Sequence, residues 1–163
     1  LSSTTTEMGY GRSAGFGEIK MKVITVAAAI ILNAQQQLLV VRKHHTACFM
    51  QVGGKLEPNE LPEATMLREI QEEIGCQAQI EQFVGRYETA TANEPDHQLV
   101  SYVYVVTLDH APQIDAEIAE MKWVDLDDQS TLLAPLTTEI VMPWVKNYLK
   151  AGCDLAYYAT REQ

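Results

Sequence analysis

The 163-residue chain carries 22 acidic against 12 basic residues, a formal net charge of -10, and 47% of its residues are apolar. That length suits one compact domain with a substantial core better than two. The acidic balance describes a globule rather than a disordered polyanion and excludes a broad nucleic-acid footprint, although a bound cation can still hold a phosphate locally.

Residues 1–20 form the expected flexible leader, because residues 1–17 are rich in Ser, Thr and Gly and show no sustained periodicity. A domain is expected over 21–150 and a C-terminal tail over 151–163, where Leu155, Tyr157 and Tyr158 are available to pack back. The apolar run 23–32 reads as a strand through the interior, and residues 37–42 read as its partner across the turn at 33–36. That run is too short to span a bilayer and follows no cleavage signal. Cys48, Cys76 and Cys153 cannot all pair within one chain and show no Cys-x-x-Cys spacing, so they read as reduced, with a cytoplasmic setting expected.

Gly53 and Gly54 break regularity before a loop through Glu60, and residues 61–74 then take helical periodicity, stopped by Gly75. Strands are expected at 80–89, 98–108 and 121–124, and a second helix at 136–149 with a break or kink at Pro143. No internal repeat is present. Strands interrupted by one central helix and followed by another predict a mixed α/β domain with helices covering a curved sheet.

The helix at 61–74 carries the chemistry. Glu69, Glu72 and Glu73 are three or four residues apart and so share one side, while Leu67, Ile70 and Ile74 share another that can bury against a sheet. Like charges at that spacing repel by a few tenths of a kcal/mol per exposed pair, and by more where solvent is excluded. A hard divalent cation reverses the penalty. Carboxylate and carbonyl oxygens suit Mg²⁺ or Mn²⁺, and this stretch offers no histidine or thiolate cluster for zinc. Gly53 and Gly54 let the backbone approach a ligand or metal, Lys55 is placed to face phosphate, and Arg68 can hold Glu60 through a bidentate pair. His44 and His45 read as solvated loop residues, and Tyr102, Tyr104 and Trp123 as structural aromatics.

This stretch resembles the signature of the Nudix hydrolases: glycine, five residues, glutamate, seven residues, then Arg-Glu-aliphatic-x-Glu-Glu-x-Gly-aliphatic. Gly54, Glu60 and the run Arg68-Glu69-Ile70-Gln71-Glu72-Glu73-Ile74-Gly75 match it, while Cys76 stands where an aliphatic residue is usual and Val52 where proline is common. The resemblance implies an α/β/α sandwich of Nudix type with a curved mixed sheet. It implies metal ligation by Glu69, Glu72 and Glu73, with the Gly53 carbonyl as a further ligand. Glu117 is the preferred additional ligand or base beyond the signature, with Glu120 as its competitor, and Glu69 is the alternative acceptor of the water proton. Arg68 joins the catalytic set; Gly54, Lys55 and Arg42 are the expected substrate contacts.

The implied reaction is Mg²⁺- or Mn²⁺-dependent hydrolysis of a diphosphate linkage in a nucleoside triphosphate or a nucleoside diphosphate derivative. ADP-ribose and dinucleoside polyphosphates are the alternative substrates, and a non-catalytic nucleotide-binding regulatory module is the alternative to an enzyme. The expected partner is a small nucleoside diphosphate-type molecule, with no membrane and no extended nucleic-acid interface. A homodimer is a family-informed expectation that no visible pairing motif carries.

Overall fold

The computed structural model describes residues 21–115 and 117–152; the leader expected at 1–20 and the tail from 153, with Cys153, lie outside the described residues. The elements in chain order are β1 (Lys22–Ile30), β2 (Leu38–Lys43), β3 (Val52–Lys55), α1 (Pro62–Ile74), β4 (Ala78–Ala90), β5 (His97–Leu108), β6 (Ile118–Val124), a π-helical turn (Thr137–Val141) and α2 (Met142–Lys150).

β1 sits between β3, to which it runs antiparallel, and β5, which it parallels from Lys22 opposite His97 to Ile30 opposite Val105. Both hydrogen-bonding edges of β1 are thereby taken, so β2 cannot be its ladder partner across the turn as the sequence suggested. A single bridge, Leu32 to Leu38, remains of that expected hairpin, and β2 pairs instead with β6. The glycine pair, expected to break regularity before the loop, is part of β3, held by its ladder to β1.

The expected curved sheet is corrected by this topology. The order β3-β1-β5-β4 makes an open, four-stranded mixed sheet, and β2-β6 forms a separate two-stranded one. The larger sheet neither curls nor closes, because its edge strands β3 and β4 each run a ladder on one side only.

β1 alternates its side chains between two packed faces, which is why the sequence there is apolar throughout. Ala27, Ala29 and Ile31 meet Met66, Ile70 and Ile74 of α1, whereas Ala28, Ile30 and Leu32 join the cluster containing Val141, Met142 and Val145. The two helices thus contribute to cores on opposite faces. The inward face of α1 is Thr65, Met66, Ile70, Glu73 and Ile74; Leu67, expected to bury, is 38% exposed. Pro62 enters α1 in its first turn and Gly75 ends it in left-handed backbone. Where a break or kink was expected, a π-helical turn (Thr137–Val141) runs directly into α2, with Pro143, which has no N–H to donate, just after it.

Candidate active site

The site grows from the contact between β3 and α1. Gly53 adopts φ +153°, and a Cβ there would lie 2.0 Å from the Ala27 carbonyl oxygen. A Cβ on Gly54 would lie 2.4 Å from the Glu69 carboxyl. Gly53 is thus required by the close approach of the β1 backbone, and Gly54 leaves the space that the Glu69 side chain occupies against β3.

The three helical carboxylates occupy different environments. Glu72 is 53% exposed, Glu69 14%, and Glu73 only 1%. Glu73 belongs to the inward face of α1, where its Oε1 accepts a long bond of 3.4 Å from the Gly53 N–H. Its Oε2 is buried without a hydrogen-bond partner among the described residues, and the Lys43 ammonium stands 4.0 Å from it. Burial pushes the Glu73 carboxyl up to about 8, with the Lys43 charge opposing and those of Glu69 and Glu117 reinforcing. Burial likewise raises Glu69 against the opposing Arg68 charge. The last turn of α1 has no basic residue, so the helix dipole adds to the repulsion. A buried oxygen without a donor, beside a second carboxylate and a glycine backbone, is an all-oxygen donor set suited to a hard divalent ion.

Arg68 organises the loop that precedes the helix. Its Nε donates to Glu60 Oε2 at 2.8 Å and its Nη2 to Glu60 Oε1 at 2.9 Å, the bidentate pair anticipated from spacing. Nη1 also donates to Glu69 at 3.1 Å and to Glu72 at 3.4 Å. The guanidinium holds the Glu60 carboxyl down to about 2, helped by the Glu57 N–H and the Thr65 hydroxyl. One cation thus fixes the loop and aims two of the helical carboxylates.

A cavity of about 240 Å³ shares Gly53, Gly54 and Lys43 with this cluster and is otherwise walled by Lys55, by β1 side chains, by the 90–94 loop and by residues 134–137; Glu69, Glu72, Glu73 and Glu117 are not among the residues that wall it. Lys55 pairs with Glu94 at 3.9 Å across its mouth. Arg42, expected as a substrate contact, is not among the residues walling the cavity: it donates to the Thr46 carbonyl at 2.9 Å and to Glu120 at 3.3 Å, with its guanidinium over the Phe49 ring. Glu120 is therefore engaged by Arg42, whereas Glu117 is close enough to act on Glu73.

Sequence reasoning missed Lys43, although it adjoins Arg42. It also missed the buried pair in which Gln51 donates to the Ala29 carbonyl and accepts from Thr137, both residues lining the cavity. Nothing in the spacing of residues 86 positions apart signals that contact.

A separate group of donor atoms could also hold a metal ion: Cys76 Sγ, an Asp109 carboxylate oxygen and a His110 ring nitrogen lie within 4.8 Å of one another. It sits beyond the C-terminal end of α1, and its softer donors suit a transition metal better than Mg²⁺. The Cys76 thiol bonds there to the Ile74 and His110 carbonyls, both at 3.4 Å. Neither Cys48 nor Cys76 is joined in a disulfide among the described residues. Among the described residues, no helix is long and apolar enough to cross a membrane.

Fold and site together define an α/β protein whose acidic helix is set against a glycine cradle at the wall of a cavity. The NUDIX domain matches residues 21–145, and the chain belongs to the Nudix hydrolase family. A relative from Bacillus subtilis (strain 168) is 31% identical over 98 residues, which cover 60% of this chain and 64% of the relative. The 8-oxo-dGTP diphosphatase of Escherichia coli (strain K12) is 30% identical over 90 residues, covering 53% of this chain and 67% of that protein. The chain thus spans about two thirds of the length of these two relatives. The crystal structure of a MutT NUDIX hydrolase from Burkholderia pseudomallei superposes with a TM-score of 0.65 at 21% identity, over 75% of this chain and 97% of that one, which shows a shared fold.

Proposed function

We propose that the protein hydrolyses a diphosphate linkage in a nucleotide derivative, using Mg²⁺ or Mn²⁺ held by Glu69, Glu72 and Glu73 with the Gly53 carbonyl and Glu117. The observation that carries this reading is the Glu73 carboxylate, buried without a donor for Oε2 beside the glycine pair that walls the cavity. A divalent ion there supplies the positive charge that neutralises phosphate oxygens and stabilises the leaving phosphate.

The chain's own residues do the rest. Gly54 and Lys55 border the space where the phosphates lie, and Arg68 keeps Glu69 and Glu72 aimed at them. Glu69 or Glu117 accepts the proton of the attacking water as its oxygen bonds to phosphorus and the bridging P–O bond breaks. No covalent protein intermediate is needed. A nucleoside triphosphate is the favoured substrate class, and the relatives named for 8-oxo-dGTP hydrolysis support it.

The test is a turnover screen with Mg²⁺ and Mn²⁺ across nucleoside triphosphates, 8-oxo-dGTP, ADP-ribose, sugar nucleotides and dinucleoside polyphosphates, with products identified by mass. The reading predicts cleavage within a diphosphate bridge that requires the cation and is lost in a folded Glu73→Gln variant. Cation-independent turnover, or full turnover by that variant, contradicts it. Binding of nucleotides without any turnover points instead to a regulatory module.

A further inference from the structure

We infer that Lys43 is the resident counter-ion of Glu73 before a divalent cation enters, and the ammonium that grips the substrate's phosphates once the cation has displaced it. This rests on the hydrolase reading and adds to it a residue whose two tasks fall at successive moments.

The two arginines around the site are held by hydrogen bonds: Arg68 is shared among Glu60, Glu69 and Glu72, and Arg42 is held by Glu120 and the Thr46 carbonyl. Lys55 has only an exposed pair with Glu94 at 3.9 Å, whereas the partner of Lys43 is buried. Lys43 has one ion pair among the described residues, with Glu73, and at 4.0 Å it is too long for a hydrogen bond. The Glu73 oxygen it faces has no hydrogen-bond donor of its own. Such a contact supplies charge without fixed geometry, so a doubly charged ion with shorter oxygen bonds replaces it readily.

Position explains the second task. Lys43 is the last residue of β2, where the ladder to β6 slips: Arg42 lies opposite Glu120, but Lys43 lies opposite Ile118. The extra residue of this slip, Ala119, is on β6, and β2 itself alternates: Leu39 and Val41 face the α1 side and Leu38 and Val40 the other, so Lys43 and Arg42 point to opposite faces. Of the two, only Lys43 reaches the cavity wall with Gly53, Gly54 and Lys55. The same slip sets Glu117 beside the strand end, its carbonyl accepting the His44 N–H at 3.0 Å. An ammonium released from Glu73 therefore stays at the wall of the space the diphosphate must enter. The compact head and flexible stem of lysine suit a group that changes partners, where a guanidinium fork would favour one.

The test separates the two tasks by measuring binding rather than turnover. Mn²⁺ alone is titrated by electron paramagnetic resonance in alkaline buffer, and methylenediphosphonate, a non-hydrolysable diphosphate, is titrated by calorimetry at saturating Mn²⁺. Lys43→Met should bind Mn²⁺ roughly fivefold tighter, the equivalent of removing one weak competing ion pair. The same variant should bind methylenediphosphonate about tenfold or more weaker, as expected for loss of one charge-assisted contact. Lys43→Arg should restore most of the diphosphonate affinity, and Lys55→Met should leave Mn²⁺ affinity unchanged.

A purely structural role for Lys43 would move both affinities the same way. Unchanged or weaker Mn²⁺ binding by Lys43→Met, or unchanged diphosphonate binding, overturns the inference while normal wild-type binding leaves the hydrolase reading standing. A wild-type protein that takes up no Mn²⁺ overturns both.

Discussion

Replacing Glu73 with glutamine should make the cation-free protein more stable in alkaline solution, although a buried group of the native helix is being altered. The Glu73 carboxyl is raised from 4.5 to about 8. A folded-state value above the unfolded one means that the native protein binds more protons in that window, so stability falls as pH rises from about 4.5 to 8. At about 1.36 kcal/mol per unit, the full loss is on the order of 5 kcal/mol above pH 8. Glutamine removes the charge but places an amide NH₂ where Oε2 has no donor, and a buried unsatisfied group costs about 1–3 kcal/mol. The net gain is roughly 2–4 kcal/mol at about pH 9, shrinking toward about pH 5. Urea unfolding with a chelator at both pH values measures it. Saturating Mn²⁺ should then reverse the order, because a ligand that binds only the native state stabilises in proportion to its affinity and the variant has lost a donor. A variant that is no more stable than wild type in alkaline chelator, or that gains as much from Mn²⁺, would refute the reasoning.

Three further outcomes follow from the geometry. Gly54→Ala puts a Cβ 2.4 Å from the Glu69 carboxyl and should weaken Mn²⁺ binding by about 10- to 100-fold, with the circular dichroism spectrum unchanged. Ile70→Ala should cost about 2–5 kcal/mol in urea unfolding because Ile70 is fully buried, whereas Leu67→Ala, at 38% exposure, should stay within about 0.5 kcal/mol. The Glu60 carboxyl is held down to about 2, so its contribution is present above about 4.5 and lost as pH falls through about 2; Arg68→Lys, which breaks the fork, should move that acid loss upward in pH.

The helix at Pro62–Ile74, its stop at Gly75 and the Glu60–Arg68 fork were all legible, because each is set by residues within one or two helical turns. What could not be read was how the helix is turned against the sheet. Spacing groups Glu69, Glu72 and Glu73 on one side, but packing buries Glu73 with Met66 and Ile70 and leaves Leu67 and Glu72 outside. The strand partners were equally hidden. β3 is a strand through its ladder to β1, not through the propensity of two glycines, and β2 finds β6 because β5 and β3 already flank β1. Lys43 and Arg42 face opposite sides by the alternation of β2, but which of the two sides meets the cavity depends on how the sheets and α1 pack.

Anomalous diffraction from crystals soaked in Mn²⁺ tests the central claim most directly. The account predicts a peak among the Glu69 and Glu73 carboxylates and the Gly53 backbone, coupled to movement of the Lys43 ammonium away from Glu73 Oε2. A peak confined to Cys76, Asp109 and His110, or an acidic helix that stays bare at saturating Mn²⁺, would contradict it.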